Sequence, residues 1–149
     1  MYAVVLSVHN ILRWVVLIVL ILAFVNALLG WIQKRNWNSA DRKLGTFAGI
    51  GVDIQLLLGL LLYFVYSPIS TSSFANFGAA MGASDRRFFL VEHSSLMLLA
   101  LIFVHLGSVL ARKAKDDQKK HRQAAIWFGL TLLAVLLGMP WFRPLFPGL

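Results

Sequence analysis

Four apolar runs, each long enough to cross a bilayer, leave this chain of 149 residues few ways to fold. A hydrocarbon core about 30 Å thick is spanned by roughly 20 residues of α-helix. No water is present there to satisfy backbone N–H and C=O groups, so only helices and closed barrels can cross. The runs occupy about residues 3–32, 46–66, 87–112 and 123–140, too long and too continuously apolar for barrel strands. Residues are 59% hydrophobic and only 13% charged, a balance far from that of soluble domains. The expected fold class is all-α, an integral membrane four-helix up-down bundle forming a single transmembrane domain over residues 1–149.

The charge of +8 is a statement about topology. Ten of the fourteen Lys and Arg fall in two connections. Lys34, Arg35, Arg42 and Lys43 follow the first span, and the run RKAKDDQKKHR follows the third. Basic loops stay in the cytoplasm. The expected setting is a bacterial inner (cytoplasmic) membrane, with both termini and the long second connection outside. The lipid bilayer is then the primary partner, and the basic balance argues for no nucleic acid. A larger membrane complex or a homo-oligomer is the expected protein partner. Cysteine is absent, which excludes disulfides, iron–sulfur clusters and thiolate ligands. The amino terminus, MYAVVLSVHN, has no basic n-region, and the run behind it lacks a small-residue cleavage site. It reads as a retained helix.

Small and aromatic residues mark out the spans. Trp31 and Trp37 flank the far end of the first, at headgroup level. Gly45, Gly49, Gly51 and Gly59 give the second a face that a neighbour can approach closely. Tyr63, Tyr66 and Pro68 mark its exit. In the second connection, Phe74, Phe77 and Met81 suggest a segment lying on the membrane surface, and Ser84 or Asp85 suits the N-cap of the third span. Pro140, Trp141, Arg143, Pro144 and Pro147 close the fourth at an interface.

Ionisable groups at membrane depth are expensive and mark candidate sites. His9 lies about six residues into the first span and His93 about six into the third, each roughly 9 Å below the outer surface. Two imidazoles at matched depth on parallel-running helices suit a shared metal. In an apolar bundle without cysteine, that points to haem b with His9 and His93 as axial ligands. Arg13 is one turn from His9 and would meet a haem propionate or pair with Glu92. Arg86 and Arg87 lie at the mouth and would also neutralise propionates. The competing reading is structural, with histidines that bond across helices and a plain Glu92–Arg13 ion pair.

His105 lies 12 residues beyond His93, a rotation of about 120° on an ideal helix. It does not face the same neighbour. Asp53 and Gln55 reach its depth from the second span, so Asp53, Gln55 and His105 form a possible second polar site. An Asp53–His105 hydrogen bond is expected there, as a structural pair, a proton-accepting site or a quinone headgroup site. His121, among lysines, is expected to be solvated.

At SVHNILRW, VDIQLLLGLLLYF, RFFLVEH and GMPWF the chain resembles a family of small four-helix membrane proteins of Bacteroidetes and related bacteria, labelled cytochrome b-like. The resemblance covers most of the chain. It implies a haem-binding electron carrier, with His9 and His93 at the family's H-x-x-L-R-W and V-E-H positions. That family places a His before the I-Q of its second helix. Asp53 stands there in this chain, which removes one ligand of a second haem unless His105 replaces it.

The leading expectation is a b-type cytochrome-like protein carrying electrons within the membrane, in exchange with quinone. It is an electron carrier or complex subunit more than a stand-alone enzyme, because no nucleophile, zinc motif or phosphate loop is present. A second reading is a non-catalytic accessory subunit of a respiratory or photosynthetic complex, with or without a chlorophyll-type pigment. A third is a small proton-coupled carrier using Asp53, Glu92 and His105.

Overall fold

A computed structural model describes residues 1–143. Pro144 and Pro147, expected to help end the last span, lie outside the described residues. The described chain is helical nearly throughout, as expected of an all-α bundle. It comprises α1 (Tyr2–Ile32), α2 (Ser39–Leu61), α3 (Pro68–Phe74), α4 (Phe77–Gly82), α5 (Ser84–Arg87), α6 (His93–Lys113) and α7 (Asp117–Gly138). A π-helical turn, Leu62–Tyr66, extends α2, and another, Phe88–Glu92, joins α5 to α6. Four continuous helices, Tyr2–Ile32, Ser39–Tyr66, Ser84–Lys113 and Asp117–Gly138, are long and apolar enough to cross a membrane.

Two helices begin earlier than the apolar runs suggest, and both starts are capped by side chains. Asn38 accepts from the N–H groups of Ala40 and Asp41, while Asp41 accepts from the Asn38 N–H, so α2 starts at Ser39. Asp116 accepts from the Lys119 N–H at 2.8 Å and starts α7 at Asp117. The third connection is therefore only residues 114–116. Neither Ser84 nor Asp85 is the N-cap of the third span. Ala83 holds that position, without a side-chain bond.

Small residues bring the helices together, since lipid provides no hydrophobic drive for helices to associate. Leu20, Ala23 and Ala27 of α1, Ala48 and Val52 of α2, Val104 and Ala111 of α6, and Ala124, Ala125 and Phe128 of α7 form the core. Phe128 is the large knob in this set. A Cβ on Gly45 would lie 2.8 Å from its ring, and one on Gly107 would lie 2.9 Å from it, so both neighbouring helices need glycine there. The exposed surface, including Ile18, Leu22, Leu57, Ile102 and Leu133, is the apolar wall that lipid would meet.

At the basic end the chain turns through Lys34, at φ 53°. Its N–H bonds the Trp31 carbonyl, and the Arg35 N–H bonds the Gly30 carbonyl, a Schellman closure with lysine in the left-handed position. That turn folds Arg35 back onto Asp41 (2.7 Å) and Asn26 (3.0 Å), and Asn26 donates to Asp41 at 2.6 Å. Asp41 is buried with both carboxylate oxygens satisfied. This network ties α1 to α2.

His121 is a correction to the sequence reading. It lies one turn inside α7, which already runs from Asp117, and is fully buried. Its ring packs edge-on against Trp37, with centroids 4.9 Å apart, and occupies the space left by Gly30. Neither ring nitrogen has a hydrogen-bond partner among the described residues.

Candidate functional site

His9 and His93 come together at the end of the bundle opposite the basic connections. Their ring centroids are 6.4 Å apart and their planes 73° apart. Two imidazoles holding one metal from opposite sides, each nitrogen about 2 Å from it, would have centres roughly 6 Å apart. The spacing therefore fits a shared metal, and it also lies within ordinary edge-on ring contact.

The local chain explains how each ring is aimed. α7 stops at Gly138 because Met139 is extended and Pro140 has no N–H to offer, so the last carbonyls need outside donors. His93 Nδ1 sits 2.7 Å from the Gly138 carbonyl and donates to it. This selects the tautomer whose Nε2 carries the lone pair, the arrangement that orients metal-binding histidines. Trp141 Nε1 donates to the Leu136 carbonyl at 2.8 Å. On the other side of the pair, Gln55 Nε2 donates to the His9 carbonyl at 3.0 Å and pins α2 to α1. The Nδ1 of His9 is buried without a hydrogen-bond partner among the described residues. Such an atom costs about 1–3 kcal/mol unless something bonds it.

The two π-helical turns face each other beside this pair. Tyr63, in the first, donates to the carbonyl of Leu90, in the second, at 3.0 Å, and Ser94 bonds the same carbonyl at 2.7 Å. One extra residue per turn rotates the following side chains and leaves carbonyls without their usual partners. Such turns recur at functional sites. Leu62, Tyr63 and Phe64 of the first and Phe89 of the second line the same cavity as His9 and His93.

That cavity measures about 580 Å³, within the range of cofactor sites. His9, Arg13, Gln55, His93 and Arg143 line it, with Leu, Val, Phe and Met around them. Arg143 was not foreseen as a site residue. Its guanidinium lies 4.4 Å from the centre of the Phe89 ring, and that of Arg13 lies 5.4 Å from Trp14.

Several expected site residues are elsewhere. Arg87 pairs with Glu92 at 2.8 Å. Neither Arg86 nor Arg87 lines the cavity. Gln55 belongs to the site of His9 and His93 and does not join Asp53, because residues two apart on a helix differ by about 200° in direction. The expected Asp53–His105 bond is present, His105 Nε2 to Asp53 Oδ1 at 2.7 Å. Among the described residues, no group of three or more His, Cys, Asp or Glu is placed to hold a metal ion. The site of His9 and His93 offers two imidazoles.

No protein-family model matches the chain, and neither a curated protein nor a solved structure does.

Proposed function

We propose that this protein is a b-type cytochrome-like membrane protein, in which His9 and His93 would hold one haem b in the cavity they line. The observation that carries the reading is the His9–His93 pair, 6.4 Å between centroids, with the His93 tautomer set by Gly138. The buried Nδ1 of His9, without a partner among the described residues, and the mostly apolar cavity agree with it. So does the placement of both histidines at the motif positions of the cytochrome b-like resemblance.

When bound, haem supplies a one-electron redox centre. The chain's own residues do the rest. His9 and His93 donate imidazole nitrogens, and the Gly138 carbonyl holds the second ring in place. Arg13, expected in this role, and Arg143, in place of the expected Arg86 and Arg87, line the cavity and would offset anionic propionates. The mostly apolar lining would give a bound haem a low-polarity setting, one of the means by which a protein tunes such a centre. With the basic connections in the cytoplasm, this site lies in the outer half of the membrane. The protein then serves as an electron carrier or a subunit of a redox complex.

The test is the absorption spectrum of protein purified from haem-replete membranes. The reduced protein is expected to show b-type bands, lost in His9→Ala and His93→Ala. Pigment bands or no bands would replace this reading with that of an accessory subunit.

A further inference from the structure

A second cavity, of about 420 Å³, opens at the other end of the bundle. It runs between α2 and α6, from Arg42 and Arg112 inward past Thr46 and Ser108 to Asp53 and His105. His105 is seven residues from Arg112 and Asp53 is eleven from Arg42, so the pair lies about 10–16 Å inward of those arginines. At that depth its surroundings outside the protein would be hydrocarbon. Yet the Asp53 side chain is 43% exposed and that of His105 is 51% exposed. A carboxylate and imidazole so exposed to lipid would cost several kcal/mol. Both side chains line the cavity, whose other polar walls are two hydroxyls, a carboxylate and two guanidiniums. Gly49 keeps the inner part open, since a Cβ there would reach within 3.7 Å of His105 Cε1.

We infer that Asp53 and His105 form a proton-binding site inside the membrane, reached by water from the basic end through this cavity. The neutral imidazole and the carboxylate together carry one negative charge. Uptake of one proton from cavity water makes the pair neutral, as imidazolium–carboxylate or imidazole–carboxylic acid. No bond other than that to the proton forms or breaks, and no electron moves. Asp41 and Arg42 of α2 and Arg112 of α6 are the other titratable or charged groups lining the cavity, and α1 and α7 contribute none among the described residues. The site stands apart from the outer cavity. His105 is 12 residues, or about 18 Å, along α6 from His93. Nothing in this inference depends on a bound haem.

The native chain has no cysteine, so single cysteines can be introduced into it directly. Ser108→Cys and Thr46→Cys should react with a membrane-impermeant thiosulfonate added to the basic-loop side of sealed vesicles, and not from the other side. Leu57→Cys and Ile102→Cys, on the exposed apolar wall, should react only with a lipid-soluble maleimide. Infrared spectra of the full chain, recorded as pH is changed, should contain a carboxyl signal that Asp53→Asn removes. That signal should shift rapidly in deuterated buffer and more slowly in Gly49→Leu, which narrows the cavity. The inference is overturned if both cavity cysteines react only with the lipid-soluble reagent, which would make the groove a seat for lipid or a lipophilic carbonyl compound. It is equally overturned if Asp53→Asn removes no pH-dependent signal.

Discussion

Gly30→Ala tests the packing around His121 with a single added methyl group. A Cβ on Gly30 would overlap His121 Cε1 and Nδ1 and lie 2.8 Å from Nε2. The ring has no exposed side to move toward and is backed by Trp37. Overpacking a filled core costs about 1–3 kcal/mol, and this site belongs at the upper end because the whole ring edge is met. Alanine regains about 1 kcal/mol of helix propensity over glycine. The net loss should be about 2 kcal/mol. His121→Ala loses packing, but it also removes two buried nitrogens that lack partners. In the double variant the new methyl meets empty space, so the two changes should not add. A double-mutant cycle on reversible unfolding in mixed detergent micelles should give a favourable coupling of at least about 1 kcal/mol. Additive effects, or a neutral Gly30→Ala, would refute the burial of His121 against α1.

Asp41→Ala should destabilise the protein by about 3–5 kcal/mol in the same assay, because it leaves Arg35 and Asn26 without their shared acceptor. Lys34→Gly should stabilise it by about 1 kcal/mol, since the left-handed backbone at that position suits glycine. At the α6–α7 turn, the Lys119 N–H bond to Asp116, helped by the Lys119 side chain, holds the Asp116 carboxyl below its ordinary range. The lowered value means that cap strength is present above the ordinary aspartate range and lost as pH falls through the lowered value. Amide exchange at Lys119 should therefore speed up on acidification, and Asp116→Asn, still a good cap, should abolish that dependence.

Much of this architecture follows from patterns that hydropathy reads well. Four apolar runs and the matched depths of His9 with His93, and of Asp53 with His105, are arithmetic on helix rise. Depth alone says little about direction. Gln55 was grouped with Asp53 by depth, although its side chain points to α1. His121 was read by its lysine neighbours because α7 was taken to start at the apolar run. Counted from Asp117, His121, Ala124, Ala125 and Phe128 form an i, i+3, i+4, i+7 stripe, and all four are buried. The Asn38–Asp41 capping box was likewise present in the sequence, hidden by the assumption that a membrane helix ends where polarity begins. The π-helical turns at Leu62–Tyr66 and Phe88–Glu92 had no such signal. Tyr63 of one and Leu90 of the other are joined by a hydrogen bond, a tertiary contact that no local pattern encodes. Arg143 reaches the cavity only because the chain turns back after Gly138, and its place beyond Pro140 said nothing of that.

The central claim is that His9 and His93 ligate one metal together, and low-temperature electron paramagnetic resonance of the oxidised, haem-loaded protein tests it most directly. Two imidazole ligands predict a low-spin ferric signal in the native chain, at one haem per protein. His9→Ala and His93→Ala should each convert it to a high-spin signal or remove the haem, and His121→Ala should leave it low-spin. A low-spin signal that survives either His9→Ala or His93→Ala would contradict the account.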